Sequence, residues 1–295
     1  MDITAAHPGG NIVVESIDGD TVTLHQDLRD TVGWWFYWNF RVRGAAGRTA
    51  TFRFTNHNVF AARGPCYSPD GRAWRWLGRE CVDVDAFRFT FGQRGTGYFG
   101  FCIPYVERNL REFVARRPRI AVSSLTRSEK GHAVERLTLR SRRGTFKVPL
   151  VARSHACESM ANYVLEGILD AWLGAIPESA FLQEHVDLQA VPFLDKDGVE
   201  EGDQGKNRAP HDHNRDYRPS GVWKSPRALM KQATGWRGDV RMMLDLHCPW
   251  IRGERNEEIG IPPLVDRYRR RYRSPAAPVL AHCFLRPRTP KVIPS

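Results

Sequence analysis

From residue 10 to residue 103 the chain alternates apolar or aromatic with polar positions in short runs: GNIVVESIDGDTVTLHQD, WWFYWNFRVRG, RTATFRFTN, WRWLG and AFRFTFGQRGTGYFGF. A period of two is the pattern of strands buried on one face, and the Gly and Asp residues between the runs supply turns. Several such strands at roughly ten-residue spacing predict an all-β sandwich. The run WWFYWNF could also serve as an exposed platform on which bases or sugars stack. Its alternation within a strand favours the sandwich core.

The period changes after ERNLREFVARRP, residues 107–118, which reads as a short connecting helix closed by Pro118. AVERLTLRS and TFKVPLVAR follow as strands, and ESMANYVLEGILDAWLG as a helix with apolar residues at 160, 161, 164, 165, 168, 169 and 172, ending at Gly174. HVDLQAVPFL predicts a strand, SPRALMKQATGW a helix, and DVRMMLDLH a strand with a nearly continuous apolar run. Strands and helices in alternation predict an α/β domain around a mixed, mostly parallel sheet. The expected organisation is a β-sandwich domain over residues 1–118, an α/β domain over 119–259 and a basic tail over 260–295. That tail holds seven prolines and no clear periodicity, so it is expected to stay outside the sheet.

Composition narrows the setting. A chain of 295 residues, 41% hydrophobic and 11% aromatic, is globular. No apolar stretch of about 18 residues and no basic segment leading an apolar run are present, which predicts a cytoplasmic protein with no membrane association. Six cysteines without paired spacing predict reduced thiols. The net charge of +11 would suggest nucleic acid, but the tail carries seven arginines and Lys291 against Asp266 alone. The charge therefore belongs mostly to the tail, and no nucleic-acid partner is expected.

Chemistry concentrates in the second region. His155 follows the strand VPLVAR, Glu158 lies three residues on, and His247 ends the strand DVRMMLDLH. Ligands of α/β sheets gather at the carboxyl ends of strands. Two histidines and a glutamate there make three ligands and leave a fourth position for water, the pattern of a catalytic zinc site. His155 and Glu158 alone would fit the polar start of a core helix better than a metal site. In the loop between them and His247, Arg208 and the pair Asn214 and Arg215 offer a planar fork and an amide for a carboxylate. His211 and His213, spaced two apart in a polar loop, are left outside the site.

The ordered set His155-x-x-Glu158, then Pro192, Asp197-Gly198-Val199 and Gly202, then Arg208, Asn214-Arg215-Asp216-Tyr217 and Asp245-Leu246-His247 resembles the zinc carboxypeptidases (funnelins). HPGGNIVV, WWFYWNFRV, YSPDGRAWRW and FGFCIPY resemble the extra N-terminal β domain of their cytosolic branch. The resemblance implies one zinc ion on His155, Glu158 and His247, Arg208 as the oxyanion residue, and Asn214 and Arg215 on the substrate's terminal carboxylate. It implies hydrolysis of the last peptide bond by a zinc-bound water, with acidic peptide or protein C-termini as a possible substrate class. The family's general-base glutamate stands on a strand well beyond the third ligand. Here the last glutamate is Glu258, within IRGERNEEIG beside Glu254 and Glu257, so the base is not found and a truncated or frame-altered end is expected. Two alternatives stay open: a protein that binds peptide C-termini without cleaving them, and a zinc-dependent deacylase of N-acyl amino acids.

Overall fold

The computed structural model describes residues 1–218, 220–235, 240, 242–248 and the backbone of 279–284. Ten strands come first: β1 (Asp2–Thr4), β2 (Val13–Asp18), β3 (Thr21–His25), β4 (Asn39–Arg43), β5 (Thr49–Phe54), β6 (Cys66–Ser68), β7 (Arg75–Trp76), β8 (Val82–Asp83), β9 (Ala86–Thr90) and β10 (Gly97–Gly100). They form two five-stranded sheets, ordered β1-β4-β10-β6-β7 and β2-β3-β5-β9-β8. Phe40 and Phe99 of the first sheet meet Phe52 and Phe87 of the second with ring centroids 5.3–5.4 Å apart, tilted as aromatic pairs prefer. The stretch WWFYWNF supplies this core. Trp38 is fully buried with its indole N–H donating to the Val59 carbonyl at 2.8 Å, so it is not a platform for ligands. Of that stretch only Asn39 and Phe40 lie in a strand, the start of β4.

Helix α1 (Glu107–Ala115) leads to the second region, with β11 (Ala121–Arg127), β12 (Ala133–Leu139), β13 (Phe146–Ala152), α2 (Met160–Leu173), α3 (Pro177–His185), β14 (Val186–Val191), α4 (Lys196–Glu201), α5 (Lys224–Gly235), β15 (Met242–His247) and β16 (Val279–Phe284). The strands form one six-stranded sheet, β11-β12-β14-β13-β15-β16. The first two pairings are antiparallel and the other three parallel, as expected of a mixed, mostly parallel sheet. Alternation along β13 sorts the faces. Leu150 and Ala152 pack under Leu165, Leu169 and Trp172 of α2, while Val151 packs with Val191 and Leu229 of α5 on the other side.

One expectation is corrected at the end of the chain. Val279–Phe284 pairs in parallel with β15, from Met242↔Val279 to His247↔Phe284. The prolines that argued against a strand, Pro275, Pro278 and Pro287, flank this six-residue run and none interrupts it. The remainder of 260–295, with Tyr268 and Tyr272, lies outside the described residues, as do Glu254, Glu257 and Glu258.

The loop between β14 and α5 is sewn to the first region. Gly9 N–H donates to Glu200 O at 2.8 Å, Asn11 Nδ2 to Gly202 O at 2.7 Å, and Gln204 both accepts from Tyr37 N–H and donates to its carbonyl. This loop carries most of the candidate substrate-binding residues, so the aromatic sandwich fixes their position.

Candidate metal centre

β13 ends at Ala152, and the chain turns through Arg153, whose φ of +59° is a left-handed conformation uncommon for arginine. The Arg153 side chain, 2% exposed, holds that turn: Nε donates to Ala156 O at 2.9 Å, and Nη1 to Tyr105 O at 2.8 Å and Asn162 Oδ1 at 3.1 Å. His155 and Glu158 therefore sit in the link just before α2, one step earlier than the first helical turn expected for Glu158. β15 lies beside β13 in parallel, with Ala152 opposite Leu246, so His247 ends its strand next to that turn.

The three side chains converge. His155 Nδ1 is 3.0 Å from Glu158 Oε1, and His247 Nδ1 is 2.8 Å from Glu158 Oε2. Their ligand atoms lie within 4.8 Å of one another, and all three residues are buried. The outer ring nitrogens are backed by acids: His155 Nε2 lies 3.3 Å from Asp212 Oδ1, and His247 Nε2 3.2 Å from Asp245 Oδ2. A carboxylate behind a ligating imidazole fixes its orientation and raises its basicity. Two imidazoles with Nδ1 turned inward and one carboxylate suit zinc. The residues present thus fit the ion the resemblance implies.

Charge in the cluster is balanced without a metal. Burial alone would push the Glu158 carboxyl up, yet Lys206, His155 and His247 together hold it well below the carboxylate range. Burial opposes a charge on His247, but Asp245 and Glu158 outweigh it and push the imidazole up to about 10. A raised pKa means that the metal-free fold gains stability from this proton below the ordinary value of 6.5, and loses it as pH rises through about 10. A metal ion must displace the same proton. Zinc affinity is therefore expected to rise with pH up to about 10, with about one proton released per ion at neutral pH. Calorimetric titration in buffers of different ionisation enthalpy measures that release.

The other expected residues divide. Asn214 and Arg215 lie in a short 3-10 turn, His213–Arg215, capped by Asp212, whose Oδ1 accepts from Asn214 N–H at 2.8 Å. Arg215 is exposed, and neither side chain makes a hydrogen bond or ion pair among the described residues, which leaves both available to a carboxylate. Arg208 was expected to face an oxyanion. Its guanidinium is held by acids, with Nη1 at 2.5 Å from Asp195 Oδ2 and Nη2 on Asp203 Oδ2. His211 and His213 stay out of the cluster: His213 stacks on Trp223 at 4.4 Å, and His211 contacts Arg215 O. The five described cysteines are free thiols.

Three residues with evident roles were not assigned from sequence. Asp212 touches both His155 and the Asn214 backbone N–H, joining the candidate ligands to the pair expected to hold a carboxylate. Asp245 orients His247 and accepts from Ser154 Oγ at 3.2 Å. Lys206 reaches Glu158 directly, Nζ to Oε1 at 2.9 Å. An acid next to or two residues before a ligand histidine, as in Asp245-Leu246-His247, was a usable signal for Asp245. Nothing in the local pattern marks Lys206 or Asp212.

No protein-family model matches the chain. Its curated relatives include an uncharacterised protein of Zymomonas mobilis, 27% identical over 94% of this chain and 76% of the relative. Cytosolic carboxypeptidase 2 of Danio rerio is 30% identical over 67% of this chain, and cytosolic carboxypeptidase 6 of Mus musculus 24% identical over 56%. The chain spans only about a third of either cytosolic carboxypeptidase. Among solved structures, a metallo-carboxypeptidase from Burkholderia cenocepacia superposes with TM-score 0.69 at 23% identity, covering 83% of this chain and 69% of that one. One from Pseudomonas aeruginosa, solved with (2-guanidinoethylmercapto)succinic acid, superposes with TM-score 0.71 at 24% identity, covering 92% and 78%. These two likenesses show the fold.

Proposed function

Because the chain belongs to the zinc carboxypeptidase (funnelin) family, we propose that it holds the C-terminus of a peptide against the His155–Glu158–His247 centre and hydrolyses the last peptide bond. The observation that carries this reading is Asp212, which bonds the first ligand histidine and the turn bearing Asn214 and Arg215 at once. One side chain thereby ties the candidate ligand His155 to the turn that would hold the terminal carboxylate. Arg215 presents a planar fork to the carboxylate and Asn214 an amide donor beside it. Asp212 and Asp245 back the two imidazoles, whose Nδ1 atoms both turn to the Glu158 carboxylate. A zinc ion held there supplies Lewis-acid polarisation of the scissile carbonyl and acidifies water. Residence in the cytoplasm belongs to the same reading; no described helix is long and apolar enough to cross a membrane.

Acidic C-terminal peptides are the first substrates to try, in zinc-reconstituted protein, with mass spectrometry following loss of one residue. The free-acid peptide is expected to shorten while its C-terminal amide is not. Arg215→Ala is expected to weaken free-acid binding about tenfold to a hundredfold, the worth of a charge-assisted hydrogen bond, and to leave the amide unaffected. If acid and amide bind equally, the role of Arg215 is wrong.

A second reading, binding without cleavage, is favoured by one observation. Among the described residues the acids around the centre are already committed: Asp212 and Asp245 to the histidines, Asp195 and Asp203 to Arg208. Retention of the free-acid peptide over long incubation, with no mass loss, would establish it. Release of an amino acid from an N-acyl amino acid, with peptides left intact, would instead point to a deacylase.

A further inference from the structure

Lys206 enters the metal centre from the loop that the aromatic sandwich holds in place. Gly205, with φ +78°, lies so close to the turn of the first ligand that a Cβ would meet Ala156 N at 2.2 Å. Gln204 and Gly205 N–H both donate to the Asp30 carboxylate, and Thr31 Oγ1 donates to Lys206 O. The backbone of Lys206 is therefore fixed, and its four-carbon stem is the movable part. Nζ sits 2.9 Å from Glu158 Oε1, the oxygen that also lies 3.0 Å from His155 Nδ1. It also lies 5.3 Å from the centre of the Trp35 ring, near enough for a cation–π contact.

Glu158 is 1% exposed and Lys206's side chain 21%, so this is a pair largely withdrawn from water. A divalent ion held by His155, Glu158 and His247 needs the lone pairs of the same carboxylate. An ammonium cannot keep its place on Oε1 beside that ion, because two cations would then share one buried anion. Without the ion, however, a buried carboxylate benefits from a cationic partner. The Trp35 face offers the displaced ammonium a second seat.

We propose that Lys206 is a positioning residue of the metal centre: in the metal-free chain it pairs with Glu158 and keeps the ligand set assembled, and metal entry moves it off Glu158 toward Trp35. This rests on the metal-centre reading above. The consequence is a preformed site whose affinity for metal is lowered by its own lysine.

The test compares wild type, Lys206→Met and Lys206→Arg by zinc competition against a chromophoric chelator, with thermal melts of metal-free and zinc-loaded protein. Lys206→Met is expected to bind zinc about tenfold to a hundredfold more tightly, the range of one lost charge-assisted hydrogen bond in the metal-free state. Its metal-free Tm is expected to fall while its zinc-loaded Tm matches wild type. Lys206→Arg, which keeps the charge, should stay near wild-type affinity. If metal-free Lys206→Met is too unstable to titrate, zinc loss from the loaded variant to excess chelator should be slower than from wild type. Unchanged or weaker affinity in Lys206→Met, or equal Tm loss in both states, overturns the proposal. A wild-type chain that binds no zinc overturns the metal-centre reading itself, and this inference with it.

Discussion

Purified His247→Ala protein is expected to bind zinc at least about a hundredfold more weakly than wild type, because removing a residue that merely orients a ligand already costs about 10–100-fold. Asp245→Asn supplies that intermediate case, since it leaves the ring of His247 in place but weakens the partner 3.2 Å from its Nε2. The order wild type, Asp245→Asn, His247→Ala is therefore the expected order of zinc affinity. His213→Ala is the control, because its ring lies on Trp223 and outside the cluster. Equal zinc affinity in wild type and His247→Ala would remove β15 from the site altogether.

The second large effect concerns Arg208, and it is one of stability. Its guanidinium faces Asp195, Asp203 and Asp30, all of them side chains under 10% exposed. Breaking a buried charge network by removing one partner costs about 3–5 kcal/mol, and Arg208→Ala should destabilise the metal-free protein by that order. The pH dependence identifies the cause. In wild type, burial already pushes Asp203 up to about 6 although Arg208 and Arg29 oppose it. Losing Arg208 raises it further. A carboxyl whose folded pKa lies above its ordinary value stabilises the fold at low pH and ceases to do so as pH rises through the folded value. The deficit of Arg208→Ala relative to wild type should therefore be largest above pH 7 and shrink toward pH 5, as read by denaturant unfolding. An Arg208 that acts only on a substrate oxyanion would give nearly equal stability for the two proteins at every pH.

The two candidate ligand histidines were legible in sequence because each stands where an apolar strand stops: His155 just after Val148–Ala152, His247 at the end of Met242–Leu246. Periodicity locates strand ends, and parallel strands deliver their carboxyl ends to one edge, where His155, Glu158 and His247 come together; naming them as ligands needed the resemblance as well. The sandwich core was legible for the same reason, since alternating aromatics can only face one another across two sheets. What pattern cannot reach is the partner of a charged loop residue. Arg208 resembles a substrate-facing arginine by its place in a motif, yet Asp195 and Asp203 flank it in space and take up its fork. Lys206, two residues earlier, reads as an ordinary solvated lysine until Gly205 is seen packed on Ala156. The strand β11 escaped notice because AVSSLTR is a mostly exposed edge strand with little apolar alternation. β16 was hidden by its neighbours, since prolines around a short apolar run obscured the run itself.

The centre can be tested at the level of atoms. Crystals of the zinc-reconstituted protein, measured on both sides of the zinc absorption edge, should show one anomalous peak per chain, bounded by His155 Nδ1, His247 Nδ1 and the Glu158 carboxylate, with the Lys206 ammonium no longer on Glu158. A peak bound through either Nε2, a peak at another group of residues, or no peak in zinc-reconstituted crystals would contradict the account.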